Sequence, residues 1–168
     1  LTAITDPALV ADLHFLDSAA VLLCTDFKGK SVIDVGTGAG FPGLPLRVLE
    51  PSISLTLLDS LGKRVDWLRE VADALGANDV TCIHARAEEQ ALKPGFRDGF
   101  DIAVSRAVAD LRLLSELCLP YVKVGGRFLA LKSTGSDEEL SAAMPGIRLL
   151  GGSVLAPYDY AIPGTDVT

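Results

Sequence analysis

Long apolar runs are missing from this sequence. Ala19 to Cys24, the longest near the N-terminus, falls far short of a bilayer's width, so no membrane helix is expected. A basic start followed by a cleavage pattern is missing too, and no signal peptide is expected. Cysteine is scarce. Cys24, Cys82 and Cys118 are far apart, odd in number and without metal-ligand spacing. That leaves no disulfide framework and no metal site, and makes a reducing cytoplasm the expected setting. Cys82 and Cys118 lie in apolar runs and read as small core residues. Cations are outnumbered, 15 Lys and Arg against 22 Asp and Glu, for a net charge of -7. This argues against a broad electrostatic grip on nucleic acid, although a local basic patch remains compatible with it. Internal repeats, low-complexity tracts and domain linkers are absent as well. The 168 residues, 49% of them hydrophobic, suit one domain with a sizeable core. The chain opens at Leu1 rather than Met, and further residues are expected upstream.

What is present is organised around Val32-Ile33-Asp34-Val35-Gly36-Thr37-Gly38-Ala39-Gly40-Phe41-Pro42-Gly43. Val32, Ile33 and Val35 predict a buried strand. The glycines allow positive φ and close approach to a ligand. Pro42 suits the start of a helix. In an open α/β sheet, ligands bind beyond the carboxyl ends of the strands, where this loop would lie. Two ligands compete for it. The spacing Gly38-x-Gly40-x-x-Gly43 matches the dinucleotide fingerprint, in which a helix N-terminus cradles a pyrophosphate. The alternative is S-adenosylmethionine (SAM), whose ammonium and sulfonium would be attracted to Asp34 at the strand's end. The same carboxylate would repel a pyrophosphate, so charge favours SAM.

The rest of the chain alternates. Asp6-Pro7 predicts a helix start, with Leu9, Val10, Leu13, Leu16 and Ala20 at helical spacing. His14 and Asp17 read as a pair on that helix's surface. Leu44 to Leu49 predicts a short helix, and Ile53 to Leu58 a second strand ending at Asp59. An acidic residue there is where a ribose would be held through its hydroxyls, whether in SAM or in NAD. Val65, Leu68, Val71, Ala72 and Leu75 form a helical stripe closed by Gly76, with Lys63, Arg64 and Arg69 off it. Val80 to Ile83 is a third strand, and the Ala87-Glu88 pair that follows suits an adenine: Ala87 leaves room, and Glu88 can read the amino group. Phe100 to Val104 is a fourth strand, ending in Ser105-Arg106-Ala107 beside the transferred group. Leu111 to Cys118 predicts a helix, Gly125-Gly126 a turn into a fifth strand over 127–131, Glu138 to Met144 a brief helix, and Ile147 to Val154 a sixth strand. This alternation predicts an α/β fold with a mostly parallel central sheet and helices on both faces.

If the cofactor is SAM, the acceptor must be argued from the fourth strand's end. An Asn/Asp-Pro-Pro-aromatic turn, typical of amino-group methylation, is absent there, and so is the Pro-Cys nucleophile of cytosine-C5 methylation. An acceptor that carries its own lone pair, such as guanine N7, needs no general base. It needs alignment and exclusion of water.

Three stretches carry a resemblance: residues 35–46 (VGTGAGFPGLPL), 57–65 (LLDSLGKRV) and 100–107 (FDIAVSRA), supported by 1–7, 14–18 (HFLDS) and 86–89 (RAEE). Together they resemble the bacterial small-subunit (16S) ribosomal RNA guanine-N7 methyltransferases, the glucose-inhibited division protein B family, over nearly the whole chain. The resemblance implies a Rossmann-like, SAM-dependent methyltransferase fold and an activity on one guanine of 16S ribosomal RNA, in naked RNA or in the small ribosomal subunit. It implies a single domain over 1–168, with an N-terminal helical segment 1–28, a Rossmann-like core 29–156 and an incomplete C-terminal tail 157–168. Gly36, Phe41, Ala87, Glu88 and Arg106 match the family's cofactor-binding positions. The reading of the residues adds Asp34, Gly38, Gly40 and Asp59 to these. Arg106 would hold the cofactor or orient the base, and Lys63 and Arg64 would lie near an RNA-facing surface. No metal and no membrane is implied, and a cytoplasmic monomer is expected. Leu13 departs from the family, which usually has a basic residue at that position. The competing functions are a NAD-linked oxidoreductase and a SAM-binding module without activity of its own.

Overall fold

The computed structural model describes residues 11–133 and 135–162. Five strands, β1 (Ser31–Val35), β2 (Ser54–Asp59), β3 (Thr81–His84), β4 (Phe100–Arg106) and β5 (Val122–Leu131), form one sheet in the order β3-β2-β1-β4-β5. Every neighbouring pair is parallel. Among the described residues six α-helices accompany them: α1 (Asp17–Ala20), α2 (Gly43–Leu49), α3 (Gly62–Ala74), α4 (Ala87–Gln90), α5 (Leu111–Cys118) and α6 (Asp137–Leu149). A wide helical turn over Ala11–Leu16 leads into α1. Asp6, Pro7, Leu9 and Val10, expected to begin that helix, lie outside the described residues. No helix among the described residues is long and apolar enough to cross a membrane.

The three central strands, β1, β2 and β4, are buried on both faces, which explains their near-continuous apolar sequences, whereas the edge strands β3 and β5 are partly exposed. Side chains alternate between the two layers. Val32 of β1, Leu55 and Leu57 of β2, and Ile102 and Val104 of β4 pack with Leu44 and Leu46 of α2 and Leu68 of α3. Ile33, Val35, Leu58 and Ala103 face the other layer, with Leu114 and Cys118 of α5 and with Tyr121. Asp34 sits between Ile33 and Val35 in β1, so its side chain points into the first layer, toward α2. That placement decides its chemistry, as shown below.

The chain runs from β1 to β2 and β3 on one side, then pairs β4 against the other edge of β1. The carboxyl ends of β1 and β4 therefore form the switch point of the sheet, the crevice where open α/β sheets bind ligands.

Two expectations about the C-terminal third need correction. The sixth strand over 147–154 is not formed: α6 continues through Pro145 to Leu149, and no further strand occurs among the described residues. Leu140, Ala143 and Ile147 recur at helical spacing and pack against Leu111 of α5, and this apolar stripe outweighs the proline's missing donor. The fifth strand starts at Val122 rather than at residue 127. Val122 pairs with Phe100 and Arg127 with Ile102, so Gly125-Gly126 sits in an irregularity inside β5 instead of preceding it.

Candidate functional site

The loop after β1 is tied to β2, because the N–H groups of Gly36 and Thr37 both donate to the Leu58 carbonyl, at 2.8 and 3.1 Å. The Ser105 hydroxyl of β4 donates to the Val35 carbonyl at 2.7 Å, joining the two strand ends of the switch point. Gly36, Gly38 and Gly40 have φ of 71°, 60° and 88°, but they serve different ends. A Cβ on Gly36 would come within 2.5 Å of Val108, and one on Gly40 within 2.5 Å of Leu44, so these two let the loop pack closely on its neighbours. A Cβ on Gly38 would meet nothing nearer than the Gly36 carbonyl oxygen at 4.0 Å. The open face of the loop is at Gly38, where a ligand can approach the backbone.

Two carboxylates hold this loop from below. Asp34 is fully buried. Its Oδ2 accepts from the Thr37 hydroxyl and from the Gly43 N–H, both at 2.8 Å, which braces the loop and the start of α2. Its Oδ1 is sealed from solvent and has no hydrogen-bond partner. Burial pushes the Asp34 carboxyl up to about 6, against the opposing pull of Thr37, Gly43 and Arg106. Asp59, at the end of β2, accepts from the Gly38 N–H at 3.0 Å and from the Leu61 N–H at 2.9 Å. It thus ties the glycine loop to the start of α3, and Arg64 Nη1 lies 3.5 Å away. Oδ1 of Asp59 accepts one hydrogen bond and keeps a lone pair for a ribose hydroxyl, whereas Oδ2 already accepts from both Gly38 and Arg64.

Arg106, the last residue of β4, stands at the centre of a cluster drawn from four segments. Its Nη1 donates to Asp17 Oδ2 at 2.7 Å and to the Leu13 carbonyl at 3.3 Å, and its Nη2 lies 3.3 Å from His14 Nδ1. Its guanidinium lies over the Phe41 ring, 5.2 Å from the centroid. His14 and Phe15 also pack on that ring, with centroids 5.0 and 5.2 Å away. The Tyr160 hydroxyl donates to Asp17 Oδ1. His14 and Asp17 are therefore not a helix-surface pair, as their spacing suggested; they turn inward onto Arg106. Their separation of three residues did place both on one helix face. Nothing local in the sequence indicated that this face meets β4, and nothing singled out Tyr160.

At the end of β3, Ala87 opens α4, and its carbonyl accepts from the buried Tyr121 hydroxyl at 2.6 Å. Glu88 is exposed and pairs with Arg86 at 3.1 Å. Its own backbone N–H, first, and then Arg86 hold its carboxyl below the usual range. Of the three cations off the α3 stripe, Arg69 pairs with Asp66 and Arg64 leans back to Asp59, while Lys63 is exposed. A cleft of about 300 Å³ lined by Thr25, Lys30, Asp101 and Lys123 opens at the amino ends of the strands. It is remote from the switch point and gathers none of the residues above.

The sequence model of rRNA small subunit methyltransferase G matches residues 1–156. The chain belongs to this family. The Ribosomal RNA small subunit methyltransferase G of Clostridium beijerinckii is 49% identical over 168 residues, covering 99% of this chain and 70% of that protein. That of Alkaliphilus metalliredigens is 47% identical over 169 residues, covering 100% and 71%. Among solved structures, a SAM-dependent O-methyltransferase from Thermotoga maritima superposes with a TM-score of 0.64 at 20% identity, covering 89% of this chain and 52% of that one. A SAM-dependent methyltransferase from Aquifex aeolicus gives 0.62 at 21% identity, covering 87% and 83%. These two likenesses concern the fold alone.

The residues of this rRNA small subunit methyltransferase G family member fit SAM on grounds of their own. Two carboxylates lie beneath the loop, and one, Asp34, holds a buried oxygen without a hydrogen-bond partner. A cationic amino-acid end would complete that acceptor, whereas a pyrophosphate would be repelled by it. Among the described residues no group of three or more His, Cys, Asp or Glu could hold a metal ion.

Proposed function

We propose that this chain is a SAM-dependent methyltransferase of small-subunit ribosomal RNA and that its acceptor is N7 of a guanine in 16S RNA. The observation that carries the reading is the switch-point site, where the open-faced Gly38 loop follows β1 above the buried Asp34, whose Oδ1 has no partner, and the Arg106 cluster ends β4, in a chain of this family. SAM, when bound, supplies a methyl group activated by the sulfonium. The residues that would hold it are Asp34, Gly36, Gly38, Gly40 and Phe41 around the loop, Asp59 at the ribose, Ala87 and Glu88 at the adenine, and Arg106. Gly36 and Gly40 act through the shape of the loop, because their Cα positions face protein.

The chain's part in the transfer is alignment and exclusion of water. Guanine N7 brings its own lone pair, so no side chain has to remove a proton to make it nucleophilic. Holding acceptor and methyl donor in line is worth several powers of ten in rate, about 10⁵ or more in effective concentration for well-oriented pairs. Lys63, exposed, and Arg64, beside Asp59, lie in the first turn of α3 and would meet the RNA backbone. We take residues 1–168 to act as one domain, with a helical segment 1–28, a core 29–156 and a tail 157–168, and the protein to work as a cytoplasmic monomer on the small ribosomal subunit.

Calorimetric titration with SAM, with NADH as control, tests the cofactor. Saturable SAM binding without an NADH response supports the reading, and the reverse favours an oxidoreductase. Incubating the chain with labelled SAM and small ribosomal subunits, then mapping the modified base, tests the acceptor. Label at any position other than a guanine N7 refutes that part. SAM binding with no label transferred would leave a cofactor-binding module.

A further inference from the structure

We propose that Asp17 is a positioning residue for Arg106, so that the segment preceding β1 forms one wall of the cofactor site. The inference rests on the reading of the switch point given above and concerns how its arginine is held. A free arginine side chain samples many rotamers, and its planar fork is useful only when one of them is selected. Here the selection comes from residues far away in the chain. Asp17 accepts from Nη1 at 2.7 Å across 89 positions, and the Leu13 carbonyl takes the same nitrogen at 3.3 Å. Phe41 supports the face of the guanidinium, 5.2 Å from the ring centroid. Asp17 is itself fixed from the other side, since Tyr160 donates to its second oxygen. The pair is nearly enclosed, with Arg106 and Asp17 side chains 16% and 13% exposed, so water screens it little.

Three features separate this from a simple surface ion pair. It stands at the carboxyl end of β4, at the switch point, where the sheet needs no extra staple because Ser105 already ties β4 to β1. It uses Nη1 fully, while Nε of Arg106 makes no hydrogen bond among the described residues and remains a donor for a ligand. The aromatic ring that backs it belongs to the glycine loop itself, so the loop, β4 and the N-terminal segment are set in place together.

The test is SAM affinity, measured by calorimetry on the chain as it stands and on D17N, R106Q, the D17N/R106Q double variant and Y160F. D17N keeps the size of the side chain and removes the charge that selects the arginine rotamer. We expect it to weaken SAM about 10- to 100-fold, the scale of a misplacement of about 1 Å. The double variant should bind no worse than R106Q alone, because Asp17 acts through Arg106. D17E should recover part of the loss. D17N at wild-type affinity overturns the proposal, and so do losses that multiply in the double variant, which would make Asp17 independent of Arg106. Y160F removes only the second partner of Asp17 and is expected to lose about threefold, the weight of one hydrogen bond. Should D17N fail to fold, Y160F decides the matter, and wild-type affinity there overturns the proposal. A wild-type chain that binds no SAM removes the cofactor reading and this inference together, a result distinct from a variant that binds like wild type.

Discussion

Asp34 offers the sharpest test, because its burial makes stability and function pull in opposite directions. Burial lifts its carboxyl from an ordinary 3.8 to about 6. At about 1.36 kcal/mol for each pH unit of that difference, the ionised side chain destabilises the folded protein by about 3 kcal/mol at neutral pH. The unfolded chain releases this proton near 3.8 and the folded chain near 6, so between these values the folded state binds more protons. Stability from this group is therefore highest below about pH 4 and falls as pH rises to about 6. In D34N the amide oxygen can still accept from Thr37 and Gly43, and the charge is gone. We expect D34N to be more stable than wild type by about 2 to 3 kcal/mol at pH 7.5, a rise of about 1 M in the urea midpoint. The difference should shrink toward zero at pH 4. The same substitution replaces the free acceptor Oδ1 with a donor, so SAM affinity should fall at least tenfold while the fold becomes stronger. Urea unfolding at pH 4, 5.5 and 7.5 with calorimetry at pH 7.5 would check both. A D34N protein less stable than wild type at pH 7.5, or equally displaced at all three values, refutes the ionisation argument. Unchanged SAM affinity removes Asp34 from the cofactor site.

Other outcomes can be stated briefly. G38A should cost only about 1 kcal/mol of stability from its left-handed backbone, because its Cβ meets open space, yet SAM binding by calorimetry should be largely lost. Y121F removes the donor to the Ala87 carbonyl and should lower the urea-derived stability by about 1 kcal/mol, with a modest loss of SAM affinity and no change in the adenine-independent contacts of Arg106. Asp101 is held at about 2, first by the Ser31 hydroxyl and then by the Ser31 N–H, with Lys123 adding to both. This lowered value contributes stability above about pH 4 that is lost as pH falls toward 2, worth about 1 kcal/mol once solvent screening of its partly exposed side chain is allowed for. Thermal melts of D101N at pH 2.5 and 5 should show a clearly larger difference from wild type at pH 5 than at pH 2.5.

Local patterns in the chain went a long way. The apolar runs ending in Asp34, Asp59 and Arg106 specified parallel strands buried on both faces, because only such strands leave no solvent side to be polar. The loop after β1 was legible because glycine is the residue that takes its φ values. Acidity at the ends of β1 and β2 was enough to favour a cationic ligand. The departures have physical causes as well. The pattern suggested a brief helix over Glu138 to Met144 and then a strand, but the stripe of Leu140, Ala143 and Ile147 against α5 carries the helix on to Leu149. Gly125-Gly126 suggested a turn, but β5 had already started beside Phe100.

What tertiary structure alone decided is who meets whom across long separations. His14 and Asp17 share a helix face in any reading, yet that the face closes on Arg106 depends on where β4 returns beside β1. Tyr160 reaches Asp17 across 143 positions with no sequence signal at either end. The direction in which the Asp34 side chain points follows from strand alternation, but its complete burial, and the oxygen left without a partner, arise from α2 packing down on it through Gly43. Local propensity acts over one turn of helix or one strand, so it determines the elements and their order. The electrostatics of the site come from side chains brought together only when the sheet closes.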